Sequence, residues 1–177
     1  QRRTRIMSID YNNINSVLSI FDKQARQFNE KPYLWRKISG KYASLSWSEV
    51  HNAVSKLALA LSSLGILNGD RVVIVSENRP EWQIADLAIM AIGAITVPAY
   101  ITSTTNDYEY IIQHSGARCL IISNHELAKK VFPAVLNSPQ CQTVIKINDD
   151  NKSYDEPIRV LSWNSLIEEN NDNTFQL

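Results

Sequence analysis

An α/β fold, with a mainly parallel sheet and helices on both of its faces, is what this 177-residue sequence predicts. Three observations carry the prediction. Short runs of consecutive apolar residues, at 72–75 and 119–122, lack the alternation of a half-solvated strand and so belong to strands covered on both sides. Between such runs lie segments whose apolar residues recur at helical spacing. Cap and turn residues punctuate the two in alternation, the pattern of strand–helix–strand units.

The chain opens, over 13–28, with Ile14, Val17, Leu18, Phe21, Ala25 and Phe28 at helical spacing, a leading helix that residues 29–32 break. Two aromatic-rich runs, 33–38 and 42–47, flank Ser39-Gly40-Lys41 and predict a short β-hairpin. Ser46 and Glu49 have capping-box spacing. They open a helix whose stripe of Val50, Ala53, Val54, Leu57, Ala58, Leu61 and Leu64 is one-sided, and Gly65 is placed to end it in a left-handed conformation. Asn68-Gly69-Asp70 turns the chain into a strand over 71–76. A second capping pair, Asn78 and Glu81, precedes a buried helix over 82–92, followed by a buried strand over 95–99. Asn106 and Glu109 are expected to cap a helix running to His114 and closed by Gly116, ahead of the strand at 119–122. A helix over 126–136 follows, and the alternating run 143–147 reads as an outer strand. Residues 148–156 are rich in Asn and Asp and form a loop, 158–161 one more strand, and 163–169 a short helix.

Composition narrows the function classes. With 44% hydrophobic and 20% charged residues the chain is globular rather than disordered or fibrous, and its length fits roughly one domain on the usual scale of ~150 residues. Eighteen basic residues balance eighteen acidic ones, which argues against a nucleic-acid partner. Cys119 and Cys141 have neither metal nor redox spacing and suit a reducing, cytoplasmic setting. Residues 84–101 carry few charges, but Asp86, Gly93, Thr96 and Pro98 interrupt them, so a helix and a strand are expected there in place of a membrane span. Met7 is a candidate start, with 1–6 as upstream residues.

Residue chemistry alone points to a scaffold. Phosphate-binding loops place glycines between a strand and the following helix, so that backbone N–H groups can approach the anion. Gly65 and Gly69 instead precede a strand. Thr102-Ser103-Thr104-Thr105 is a hydroxyl cluster after a strand, without Gly or Lys, and reads as a helix start. His125-Glu126 is half of a zinc-protease motif whose second ligand position holds Lys129. His51 and His114 read as solvated or helix-terminal, and Trp35, Trp47, Trp82 and Trp163 as core or edge packing.

Several strings occur in fixed order: Ser46-Trp47-Ser48-Glu49-Val50, Leu64-Gly65-Ile66, Gly69-Asp70-Arg71-Val72, Ser76-Glu77-Asn78-Arg79-Pro80-Glu81-Trp82 and Gly93-Ala94-Ile95-Thr96-Val97-Pro98. Together they closely resemble the N-terminal part of the AMP-forming acyl-CoA synthetases, within the adenylate-forming (AMP-dependent synthetase/ligase) superfamily. The Ser76 to Trp82 string and Tyr100-Ile101-Thr102-Ser103-Thr104 are most similar to the long-chain fatty acid–CoA ligase branch. The resemblance implies the start of a large AMP-binding domain. Residues 1–13 are then upstream or poorly ordered, 14–169 an incomplete N-terminal part of that domain, and 170–177 a tail at a truncation.

For an intact enzyme the resemblance implies ATP, Mg²⁺ and coenzyme A, with a fatty acid joined to coenzyme A through an acyl-adenylate. It implies no transmembrane segment, and it leaves room for a homodimer and for peripheral membrane association from the cytoplasm. Family members are several times longer, and their phosphate loop, later motifs and catalytic Lys lie downstream. The expectation is therefore no catalytic residue, no metal ligand and no bound cofactor in this chain alone, and poor solubility from an exposed sheet edge. Two alternatives stand beside it: a piece of another acyl- or aryl-CoA synthetase or amino-acid adenylation domain, and a non-catalytic binding module. The one substrate-side candidate is the loop of Ser76, Glu77, Asn78 and Arg79, which joins the carboxyl end of a strand to a helix, where open α/β sheets bind ligands. Either it touches substrate or a neighbouring domain, or Asn78 caps the helix and Arg79 lies in solvent.

Overall fold

The computed structural model describes residues 16–148, 158–169 and 175–177. Ser16 caps α1 (Val17–Phe28) through a reciprocal box with Ser19. The part of the leading helix expected at 13–15 lies outside the described residues. The hairpin forms as β1 (Pro32–Ile38) and β2 (Lys41–Ser46), antiparallel, with Ser39 and Gly40 both at positive φ (48° and 83°). Two positive φ values in succession give the tight turn whose twist matches paired strands.

Helix α2 (Trp47–Ser63) starts at the expected Ser46–Glu49 box. It ends as foreseen at Gly65, φ 82°, where Gly65 N–H donates to Ser62 O and Ile66 N–H to Leu61 O. That bond pair caps the last carbonyls, and the buried Ile66 seals it. Next come β3 (Arg71–Val75), α3 (Pro80–Ala91), β4 (Ile95–Ala99), α4 (Thr105–Ser115), β5 (Cys119–Ile122), α5 (His125–Leu136), β6 (Thr143–Lys146), β7 (Arg159–Ser162) and α6 (Trp163–Glu169).

The five-stranded sheet has the order β4-β3-β5-β6-β7, and every pairing within it is parallel. Side chains alternate across it. Val72, Ile74, Cys119 and Ile121 meet α1, α2, α3 and α6 on one face, while Val73, Val75, Leu120 and Ile122 meet α4 and α5 on the other. All eight are fully buried. Helices thus cover both faces, as the unalternated runs require.

Two strand positions differ from expectation. Among the described residues β4 is an edge strand paired only with β3, and Ile95 is half exposed; Pro98, which has no N–H to donate, is tolerated there for that reason. β6 is interior, because β7 lies outside it, and Val144, Ile145 and Lys146 are buried. Two caps also differ. The α4 box is Thr104–Asp107, two residues before the expected Asn106–Glu109, so the hydroxyl cluster does begin a helix. α3 begins at Pro80, with Arg79 as an N-cap that makes no side-chain cap bond, so Asn78 does not cap. Proline at the first helical position supplies the φ that starts a helix and lacks an N–H that would need a cap.

His51 is neither solvated nor helix-terminal: its Nε2 lies 2.9 Å from Asp22 Oδ1 and its ring stacks on Phe21. The Arg26 hydrogen bond chiefly holds the Asp22 carboxyl below its ordinary value, with His51 adding to it against burial. The chain end described at 175–177 returns to α2, where Ser55 Oγ donates to Phe175 O and accepts from Phe175 N–H, at 2.8 and 2.7 Å. No helix among the described residues is long and apolar enough to cross a membrane.

Candidate functional site

The route of the chain through the sheet locates the site. From β3 it passes outward to β4, then crosses back by α4 to β5 on β3's other side and proceeds to β6. The direction of winding therefore reverses between β3 and β5. Neighbouring connections there leave on opposite faces, which opens a crevice at the carboxyl ends of the strands. The loop Ser76, Glu77, Asn78, Arg79 sits on one side of it and Ser123 and Asn124 on the other.

Side chains stitch the strand ends together. The Ser123 hydroxyl, wholly buried, donates to the Glu77 carboxylate across the crevice. Ser123 N–H donates to Val75 O at 3.1 Å, and Asn148 N–H to Ser123 O at 3.0 Å, so β3, β5 and β6 continue their register past their last paired residues. Arg79 extends the link: Nη1 donates to Asn148 Oδ1 at 2.9 Å and Nε to Glu81 Oε2 at 2.8 Å, with Glu77 3.5 Å away. Arg79 is thus enclosed by partners, contrary to the solvated role considered for it. Burial pushes the Glu81 carboxyl up, but bonds from Arg79 and its own N–H, with the charges of Arg79 and Arg36, outweigh this and hold it below the usual carboxylate range.

Ser76 Oγ donates to the Glu77 carbonyl at 2.9 Å. The Asn78 carboxamide makes no hydrogen bond among the described residues. It lines two adjoining cavities, of about 310 and 500 Å³, the second bounded also by Glu77, Trp82, Tyr100 and Ile101. Both lie in the size range of small-molecule sites. The Tyr100 backbone is anchored from below, since the buried Tyr108 hydroxyl donates to its carbonyl at 2.7 Å. Burial, and then the Asp107 charge, push that phenol up, so it stays a donor at neutral pH.

The sequence singled out the loop but not its partners Ser123, Asn148, Trp82 and Tyr100. A weak signal existed, because Ser123 directly follows an apolar strand run and Asn148 the alternating run 143–147. The two cysteines contribute no chemistry: burial pushes both thiols up, Cys141 to about 12, far from the reactive thiolate range.

Residues 21–173 match the AMP-binding enzyme family. This chain belongs to that family. Among relatives of this AMP-binding family member is the long-chain-fatty-acid–CoA ligase FadD15 of Mycobacterium tuberculosis, 38% identical over 112 residues, which are 63% of this chain and 19% of the ligase. The mouse long-chain-fatty-acid–CoA ligase ACSBG2 is 27% identical over 158 residues, 89% of this chain and 23% of that protein. Two solved structures share the fold. Coronafacic acid ligase from Pectobacterium brasiliense superposes with a TM-score of 0.78 at 21% identity, over 90% of this chain and 31% of that one. Anthranilate CoA ligase AuaEII in complex with anthranoyl-AMP gives 0.74 at 23%, over 86% and 27%.

The chain spans about a fifth of the length of the two curated relatives named. Among the described residues no three or more His, Cys, Asp or Glu side chains stand together to hold a metal. Arg79 is spent on two carboxylates and an amide, so it is not a free phosphate clamp.

Proposed function

We propose that this chain is the opening portion of a ligase that joins a long-chain fatty acid to coenzyme A. In the first step a carboxylate oxygen attacks the α-phosphorus of ATP, forming the acyl-phosphate bond as pyrophosphate leaves. In the second, the coenzyme A sulfur attacks the acyl carbon and AMP leaves, giving the thioester. The observation that carries the reading is the 38% identity to a long-chain-fatty-acid–CoA ligase over 112 residues that include the crevice loop's neighbourhood.

On this reading the chain supplies the first sheet and a substrate-side wall made of Ser76, Glu77, Asn78 and Arg79, while the groups that hold ATP lie outside these 177 residues. The test is ATP–pyrophosphate exchange with palmitate, octanoate and benzoate, run on the 177-residue chain and on the full product of its reading frame. The chain alone is expected to show no exchange above a boiled control, and the full product to prefer palmitate. Exchange by the chain alone, or a full product that prefers benzoate, overturns the proposal.

A further inference from the structure

Asn78 stands apart from the residues on either side of it. Glu77 is tied to Ser123 of the β5 end, and Arg79 to Glu81 and Asn148, so the backbone between them is clamped from both directions. The side chain it carries has no partner among the described residues and does not cap α3. With Trp82 it forms the shared wall of both cavities, one beside the hairpin residues Leu34 and Trp35 and the other beside the β4 end at Pro98 to Ile101. A polar group held on a rigid support, yet not used by the fold, is how a ligand contact is prepared in advance.

The lining decides the ligand's chemistry. Trp82, Pro98, Tyr100 and Ile101 offer apolar and aromatic surface, and Glu77 places a carboxylate on the same wall. Among the described residues no Lys or Arg side chain lines that space, so an anion there loses its water without compensation. A carboxamide both donates and accepts, and its natural counterpart is another amide. We infer that Asn78 contacts a neutral, amide-bearing, partly apolar segment of a ligand in the 500 Å³ cavity. Resting on the reading proposed above, that segment is the pantetheine arm of coenzyme A. Of the three substrates it alone has such a stretch, since the fatty acid presents a carboxylate head and ATP a polyphosphate.

The test uses the full product of the reading frame, ¹⁵N-labelled and titrated separately with pantetheine, dodecanoate and ATP. The side-chain NH₂ pair of Asn78 is assigned by its loss in Asn78→Ala. Pantetheine is expected to shift that pair and the Trp82 indole N–H, with dodecanoate and ATP leaving both in place at equal concentration. Asn78→Ala is expected to weaken pantetheine binding about fivefold, the worth of one ordinary hydrogen bond. Asn78→Asp weakens it at least as much, by adding a second carboxylate beside Glu77. Asn78 is exposed, so both variants keep the fold, and unshifted amides of residues 72–75 verify it. Equal pantetheine binding by Asn78→Ala, a stronger response to dodecanoate or ATP, or no response to pantetheine overturns the inference. None of these readouts needs turnover. A full product that fails with palmitate therefore removes the acid assignment and leaves the Asn78 contact standing, and the converse separates in the same way.

Discussion

Glu81 shows how one carboxylate can serve two elements. It receives Arg79 Nε at 2.8 Å within its own loop and Arg36 Nη1 at 3.4 Å from the hairpin, and only 12% of its side chain is exposed. Because its folded-state pKa lies below the unfolded value, the stabilisation is fully present above about pH 4.5 and is lost as pH falls through the folded value. Glu81→Gln is expected to cost about 1–2 kcal/mol at neutral pH, as for a charge-assisted hydrogen bond discounted for the exposure of Arg36. Urea melts of both proteins at pH 7 and pH 3 check this: the gap should narrow as the pH is lowered. A gap that does not shrink at all would show that packing, rather than charge, is what Glu81 contributes. None of this was legible in the sequence, where Glu81 read as half of a capping pair with Asn78. Residue type and spacing do not reveal that a hairpin arginine packs nearby.

At the scale of elements, local signals were mostly sufficient. The Ser46 box, the hairpin turn and the glycines at 65 and 116 act within four or five residues, and each appears where the sequence put it. The α4 C-terminus shows where local chemistry meets tertiary structure. Gly116 has φ 64°, and a Cβ there would lie 2.5 Å from Arg71 Nη2. The Arg71 guanidinium donates to the carbonyls of Ser115, Gly116 and Gly69, so a cation from β3 satisfies the end of α4. Gly116→Ala is thus expected to destabilise by about 2–3 kcal/mol, from left-handed strain of roughly 1 kcal/mol and the displaced arginine bonds. Thermal melting of the variant beside Arg71→Ala tests the argument. The two losses should be far from additive, since both act on the same contact. Misplaced caps have a similar origin: Thr104 and Asn106 are both competent N-caps, and docking of Tyr108 and Ile112 in the core selects the register.

The whole molecule exposes what strand order implies. Among the described residues β4 pairs on one side only, and Ile95, Tyr100 and Ile101 stand exposed on and beside it. An unpaired, apolar edge invites pairing with another chain, and charged residues are the usual guard. Ile95→Lys is therefore expected to reduce self-association of the 177-residue chain, measured by sedimentation velocity across a concentration series. An unchanged distribution would place the sticky surface elsewhere, with the exposed hairpin residues Trp35 and Tyr42 next in line.

The sequence by itself determined the α/β class, the alternation of elements and the family resemblance, because apolar periodicity, capping boxes and contiguous motifs are properties of neighbouring residues. It also marked the loop of Ser76 to Arg79 as the substrate-side candidate, since the end of a strand is visible in a run of apolar residues. Only the tertiary structure decided that β4 is an edge and β6 is not, that Glu77 reaches Ser123, and that Asn78 is left unused between two cavities. Those facts depend on which strands lie side by side. Parallel pairing joins residues 16 to 47 positions apart and the Arg79–Asn148 bond spans 69, and a single sequence records their chemistry but not their proximity.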